Sequence, residues 1–186
     1  MPGITRIHIT DPFSGSGKWR LEQSRSTEPI ADDLYRFIFD HIGMPIQAGE
    51  QIIECTRAEF MAGYDYELGI DVILRFMSDQ TATLQEKFLN FDKHTLTVEY
   101  MQDTREQIQG DWFKLKAQYY FCGYPNKDRS AFEEGVLVDW PRLQLATSQS
   151  RVRWHENVNT KDGARASFKY VEFDRIPADV LIYRHS

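Results

Sequence analysis

GIDVILRFMSDQTATLQEKFL, residues 69–89, holds two apolar-rich segments around a polar break at Ser78-Asp79-Gln80. Ile70 to Phe76 reads as a strand and Ser78-Asp79-Gln80 as a turn. Thr83 to Leu89 reads as a second strand, with Leu84, Glu86 and Phe88 alternating against Gln85 and Lys87. Successive side chains of a strand point to opposite faces, so Gln85 and Lys87 share one. Thr95 to Met101, rich in β-branched residues, predicts a third strand. Connections this short favour antiparallel neighbours, hence a three-strand meander.

Upstream, Ile30, Leu34, Phe37, Ile38 and Ile42 recur at helical spacing and predict a helix over 30–42. Pro29 stands before it, and Gly43 with Pro45 ends it. Residues 1–29 read as an extended arm, with Ile4, Ile7 and Ile9 as a short strand. Gly15-Ser16-Gly17-Lys18 lacks phosphate-loop spacing, because Trp19 follows the lysine. Glu50 to Phe60 stays open, with a strand at Ile52-Ile53 followed by a short connection as its reading; Gly63 to Gly69 reads as a loop.

Downstream, Ile108, Trp112, Leu115, Tyr119 and Phe121 or Cys122 predict a helix over 105–121, stopped by Gly123. Gly135 to Asp139 reads as a strand, followed by Trp140-Pro141 and a short helix through Ala146. Val152 to Trp154 and Ser167 to Phe173 add strands, and Val180 to Tyr183 a last apolar element. The expectation is one α/β domain over 1–186: arm 1–29, core 30–149 and C-terminal extension 150–186. No composition break divides it.

Composition bounds the function. Of 186 residues, 41% are hydrophobic and 13% aromatic, enough for a sizeable core. No apolar run approaches the roughly 18 residues of a membrane span, and the N-terminus lacks a signal-peptide core. A cytoplasmic protein with no membrane partner is expected. Cys55 and Cys122 read as reduced thiols without zinc-site spacing. The net charge of −6 argues against non-specific nucleic-acid binding but leaves a local basic groove open.

The chemistry-bearing residues are Asp71, at the start of one strand, and Gln85 and Lys87 in the next. Phosphodiester hydrolysis needs a hard cation, an activated water and neutralised phosphate charge. A carboxylate and an amide oxygen suit Mg²⁺, and a lysine can hold the water or stabilise developing charge.

Gly69-Ile70-Asp71-Val72-Ile73-Leu74 followed by Gln85-Glu86-Lys87-Phe88 resembles the PD-(D/E)XK nuclease superfamily. Within it, the pattern is similar to the Mrr-type restriction endonuclease branch, whose motif reads D…QxK. The resemblance spans residues 30–140. It implies a restriction-endonuclease-like core of helix, three-strand meander, helix and strand, here with extra C-terminal strands. It implies Asp71 and Gln85 as ligands of Mg²⁺ or Mn²⁺, Lys87 as the catalytic lysine, DNA as substrate and a homodimer. It also implies an acid from the first helix, Asp33 or its rival Asp32, with Glu67 as a flanking carboxylate.

Other readings stand beside these. Asp71 can pair with Arg57 or Arg75, and Gln85 with Lys87 can form a solvated strand face. Glu99 reads as a metal neighbour or a surface acid. Trp112, Lys116, Tyr119 and Tyr120 suggest either a nucleic-acid platform or core. Arg151, Arg153, Lys161, Arg165, Lys169 and Arg175 offer phosphate contacts or a solvated surface. No GxSxG or histidine-pair spacing supports a serine hydrolase or a zinc site. The alternative function is a non-catalytic binding or interaction module on the same fold.

Overall fold

The 69–89 segment forms the hairpin its pattern predicts. In the computed structural model, which describes residues 2–9, 16–55, 69–90, 94–159 and 165–185, β3 (Val72–Arg75) pairs antiparallel with β4 (Thr81–Phe88). Phe76 N donates to Gln80 O at 2.9 Å, and Asp79 takes φ of 62°, a conformation that a short Asp side chain tolerates.

Strand β1 (Ile4–Ile9) lies on the other side of β3, so residues 1–29 are not an extended arm. Helix α1 (Ser16–His41) starts well before the predicted 30–42 and contains Pro29. It leads to β2 (Glu50–Cys55), parallel to β1, so the expected strand at Ile52-Ile53 forms; residues 56–60 lie outside the described residues. The buried stripe of α1 is Ala31, Tyr35, Ile38 and Phe39, while the expected Phe37 and Ile42 are exposed. Burying Ile38 and Phe39 contributes about 1.5–3 kcal/mol each.

The predicted helix over 105–121 is absent. That stretch contains β6 (Ile108–Gln109), the single turn α2 (Asp111–Lys114) and the start of β7 (Tyr119–Pro125). Tyr119, Tyr120, Phe121 and Cys122 are all buried because β7 has packing on both faces. Such a strand is apolar throughout, and periodicity does not separate it from a buried helix. Gly123, expected to stop a helix, lies inside β7, where a Cβ would come within 2.6 Å of the Phe121 ring.

Strand β7 runs parallel to β4 and antiparallel to β8 (Phe132–Asp139). With β11 (Leu181–His185) these make a seven-stranded mixed sheet, ordered β11-β8-β7-β4-β3-β1-β2. Helix α3 (Trp140–Ser148) follows β8, with the Asp139 side chain accepting from Arg142 N.

The third strand of the expected meander leaves this sheet. Strand β5 (Thr95–Asp103) joins β6, β9 (His155–Val158) and β10 (Ser167–Glu172) in a four-stranded sheet, ordered β6-β5-β10-β9. The strand expected at 152–154 therefore begins three residues later, at His155. The edge of β5 not paired with β10 meets β6 at Met101–Asp103 and is held by β7 side chains at Thr95 and Thr97. Tyr120 Oη donates to Thr97 O at 2.7 Å, and Tyr124 Oη to Thr95 O at 2.7 Å. These donors satisfy carbonyls that an open edge would leave bare.

The chain is thus mixed α/β, with α1 on one face of the large sheet and the small sheet with α3 on the other. One apolar cluster takes Leu96, Val98 and Val171 from the small sheet with Tyr120, Val136 and Val138 from the large one. Residues 150–185 complete both sheets and are not an appendage. Among the described residues, no helix is long and apolar enough to cross a membrane.

Candidate active site

Gly69 sets the approach to the site. Its φ of 58° favours glycine, and a Cβ there would lie 3.2 Å from Leu115 and 3.4 Å from Gln85 Oε1. Asp71, just ahead of β3, continues the hairpin through a 3.0 Å bond from its N to Leu84 O. Its carboxylate Oδ2 accepts from Gln85 Nε2 at 2.7 Å and from Glu86 N at 2.8 Å. Asp71 and Gln85 therefore meet, and hairpin register is what brings them together. Gln85 is buried, and its Oε1 accepts no hydrogen bond from any described residue. A buried acceptor without a partner costs about 1–3 kcal/mol. In this arrangement Nε2 faces the Asp71 carboxylate, so Oε1 would meet a cation beside Asp71 only with the amide turned over.

Lys87 follows on the same face, its ammonium 5.8 Å from the Phe168 ring centroid. Glu99 on β5 shares this region. Burial raises its carboxyl above the usual range, with Asp111 reinforcing and Lys87 and Lys114 opposing. Burial also raises the Tyr120 hydroxyl, helped by Cys122, Asp111, Asp71 and Glu99. Three carboxylates and two lysines thus surround the angle between the sheets. Among the described residues, no three His, Cys, Asp or Glu side chains converge on one metal-holding point.

Asp111 and Lys114 were not singled out in the sequence. The available signal was Gly110-Asp111: a Cβ on Gly110 would come within 2.7 Å of Glu99 O, so glycine permits a close approach.

Asp33 does not join Asp71. It lines a cleft with Arg6, Glu28 and Glu50 on the α1 side of the large sheet, away from Gln85. Its rival Asp32 is bound to Arg6 at 2.5 Å. The structure does not bring the first-helix acids to Asp71, because α1 covers the face that carries Glu86. Glu67, Arg57 and Lys161 lie outside the described residues.

The Arg6 cluster is a second polar centre. Arg6 reaches Glu86 Oε2 at 2.6 Å, and Tyr35 Oη donates to Glu86 Oε1 at 2.7 Å. Burial opposes the Arg6 charge, but Glu86 and Asp32 hold its pKa above the ordinary value. Burial pushes Asp32 above the usual carboxylate range despite Arg6.

Comparison with protein-family models, with curated proteins and with solved structures finds no match to this chain. The site's chemistry therefore rests on its own geometry.

Of the two readings of Tyr119 and Tyr120, platform or core, the buried side chains bear out core. The basic C-terminal residues are largely engaged: Arg151 with Asp179 at 2.6 Å, Arg165 with Asp103 at 3.6 Å, and Lys169 over Tyr100 at 4.2 Å. Cys122 is a buried free thiol, its pKa pushed up to about 12 by burial.

The Glu99 shift has a measurable consequence. Between the ordinary glutamate value near pH ~4 and its raised value, the folded state binds more protons than the unfolded chain. Stability is therefore lost as pH rises through that window. Glu99→Gln is expected to remove this loss, so that its unfolding free energy gains on the wild type as pH rises. Urea unfolding of both proteins over a pH series checks it; parallel curves would refute the assignment.

Proposed function

We propose that this protein hydrolyses phosphodiester bonds of DNA with Mg²⁺ or Mn²⁺, as a PD-(D/E)XK-like nuclease. The observation that carries the reading is the Asp71–Gln85 pair. Its amide is bonded to the carboxylate at 2.7 Å, and the buried carbonyl oxygen is left without a partner. The residues fit a hard cation, since Asp71 and Gln85 supply oxygens and Mg²⁺ keeps waters in its other positions. When bound, such a cation polarises the phosphate and acidifies a bound water.

The chain's own residues do the rest. Asp71 and Gln85 would hold the cation against the β3–β4 hairpin. Lys87, on the same face, orients the attacking water and offsets charge developing on the phosphate. Glu99 and Asp111 lie near that lysine across the angle between the sheets. The placement of Asp71 before one strand and Gln85-Glu86-Lys87 within its partner supports the family reading. So does β7, parallel to β4 as a later neighbour. A homodimer follows if both strands of a duplex are cut, and a cytoplasmic setting accords with DNA as substrate.

A non-catalytic binding module on this fold is the second reading, favoured by the neutral Gln85 and the net charge of −6. Metal-dependent stability separates the two. Mn²⁺ or Mg²⁺ well above its Kd is expected to stabilise the wild type by about 3 kcal/mol at a hundredfold excess. Gln85→Glu is expected to widen that shift while lowering stability without metal, because two carboxylates then face each other. Asp71→Ala is expected to abolish it. Thermal unfolding with and without cation reads all three. Plasmid, linear and single-stranded DNA incubated with the same cations then test cleavage. A wild type that neither responds to cation nor cuts DNA supports the module.

A further inference from the structure

The small sheet has one face in the core, through Leu96, Val98 and Val171. Its other face carries a cleft of about 420 Å³ lined by Thr95, Thr97, Asn157, Phe168, Tyr170 and Glu172. His155 stacks on Tyr170, with centroids 5.3 Å apart and planes at 25°. Phe168 and Tyr170 stand two apart on β10, and Phe168 pairs in register with Glu99. Lys87 is 5.8 Å from the Phe168 ring centroid, so one wall of the cleft lies beside the lysine of the candidate active site.

We infer that this cleft holds the unstacked bases of single-stranded DNA and delivers its phosphate to Lys87. The inference rests on the nuclease reading and names the form of its substrate. Three observations carry it. The lining combines aromatic rings with neutral hydroxyl and amide groups, the chemistry that takes up base faces and edges without a sequence code. Residues two apart on a strand are separated by about 6.8 Å. Bases stacked within a duplex strand rise by only about 3.4 Å, so rings at the Phe168 and Tyr170 spacing match a strand drawn out of its stack. Charge agrees as well. With Lys87 the cation at this end of the cleft and Glu172 within it, affinity comes from stacking more than from phosphate neutralisation.

The test uses wild-type protein in chelator, so that binding is read apart from cleavage. Fluorescence anisotropy follows a labelled thymidine oligonucleotide and a labelled duplex of equal length across a salt series. The single strand is expected to bind at least about tenfold more tightly, with a shallow salt dependence. Phe168→Leu and Tyr170→Leu are each expected to lose about tenfold for the single strand while leaving duplex binding unchanged. Phe168→Trp and Tyr170→Trp are expected to retain it. Equal affinity for both forms overturns the inference, as does undiminished binding by folded leucine variants. If urea unfolding finds the leucine variants unfolded, the strand preference of the wild type and the tryptophan variants decides.

Failure here is distinct from failure of the nuclease reading. Single-strand preference without cation-dependent cleavage removes the nuclease and keeps the cleft. Duplex cleavage untouched by the leucine variants removes the cleft and keeps the nuclease.

Discussion

Arg6→Met is expected to destabilise the protein by about 3–5 kcal/mol near neutral pH, the cost of stranding buried charges when one partner is removed. The Arg6, Asp32 and Glu86 side chains are only 6%, 10% and 6% exposed, so water does not replace the lost guanidinium. The pH dependence has a definite sign. Without Arg6, nothing opposes the burial that already raises the Asp32 carboxyl, and the folded state holds a proton that the unfolded chain has released. The loss therefore grows as pH rises and shrinks as pH falls below ~4, where the Asp32 carboxyl is protonated in either state. Replacing the cluster together, as Arg6→Met, Asp32→Leu, Glu86→Leu and Tyr35→Phe, is expected to recover most of the loss. Urea unfolding at several pH values checks this, and a pH-independent loss below 1 kcal/mol would refute it. The cluster also reaches the candidate site, because the Glu86 backbone N–H that fixes Asp71 belongs to the residue Arg6 clamps.

Lys87→Ala is expected to lower cation-dependent DNA cleavage by about a hundred- to a thousandfold, the usual loss when one group that stabilises developing charge is removed. Its stabilisation by Mn²⁺ or Mg²⁺ is expected to persist, because Lys87 supplies no oxygen to the cation. Asp71→Ala is expected to lose both. That split assigns the two roles: retained cation binding with lost turnover marks a lysine acting on water or phosphate. Lys87→Arg keeps the charge and is expected to retain part of the activity. Cleavage at the wild-type rate in Lys87→Ala would remove this residue from the mechanism. Loss of cation stabilisation in the same variant would make it a structural support.

The β3–β4 hairpin and its paired residues were legible because everything that makes them is local. A polar turn separates two alternating segments, and that register alone puts Asp71 against Gln85 and Glu86. The strand at Gly135–Asp139, the helix after it, the strand at Ser167 and the last apolar element were legible for the same reason.

What tertiary structure decided is of another kind. Tyr119 to Cys122 is apolar at every position, and only packing on both faces makes it a strand. Thr95 to Asp103 has the composition of a strand, but its choice of sheet follows from pairing with β10, far downstream in the chain. Arg6 meets Glu86 across 80 residues of chain, a pairing no window of sequence contains. Asp33 lies apart from Asp71 because the side of the sheet that α1 covers is set by how the β1–α1–β2 unit folds over it. This sequence by itself determined which residues share a strand face and a turn, through the periodicity of the chain. Which faces come together, and so which charges reach Lys87, was left to contacts between distant segments, whose free energy exists only once the sheets have packed.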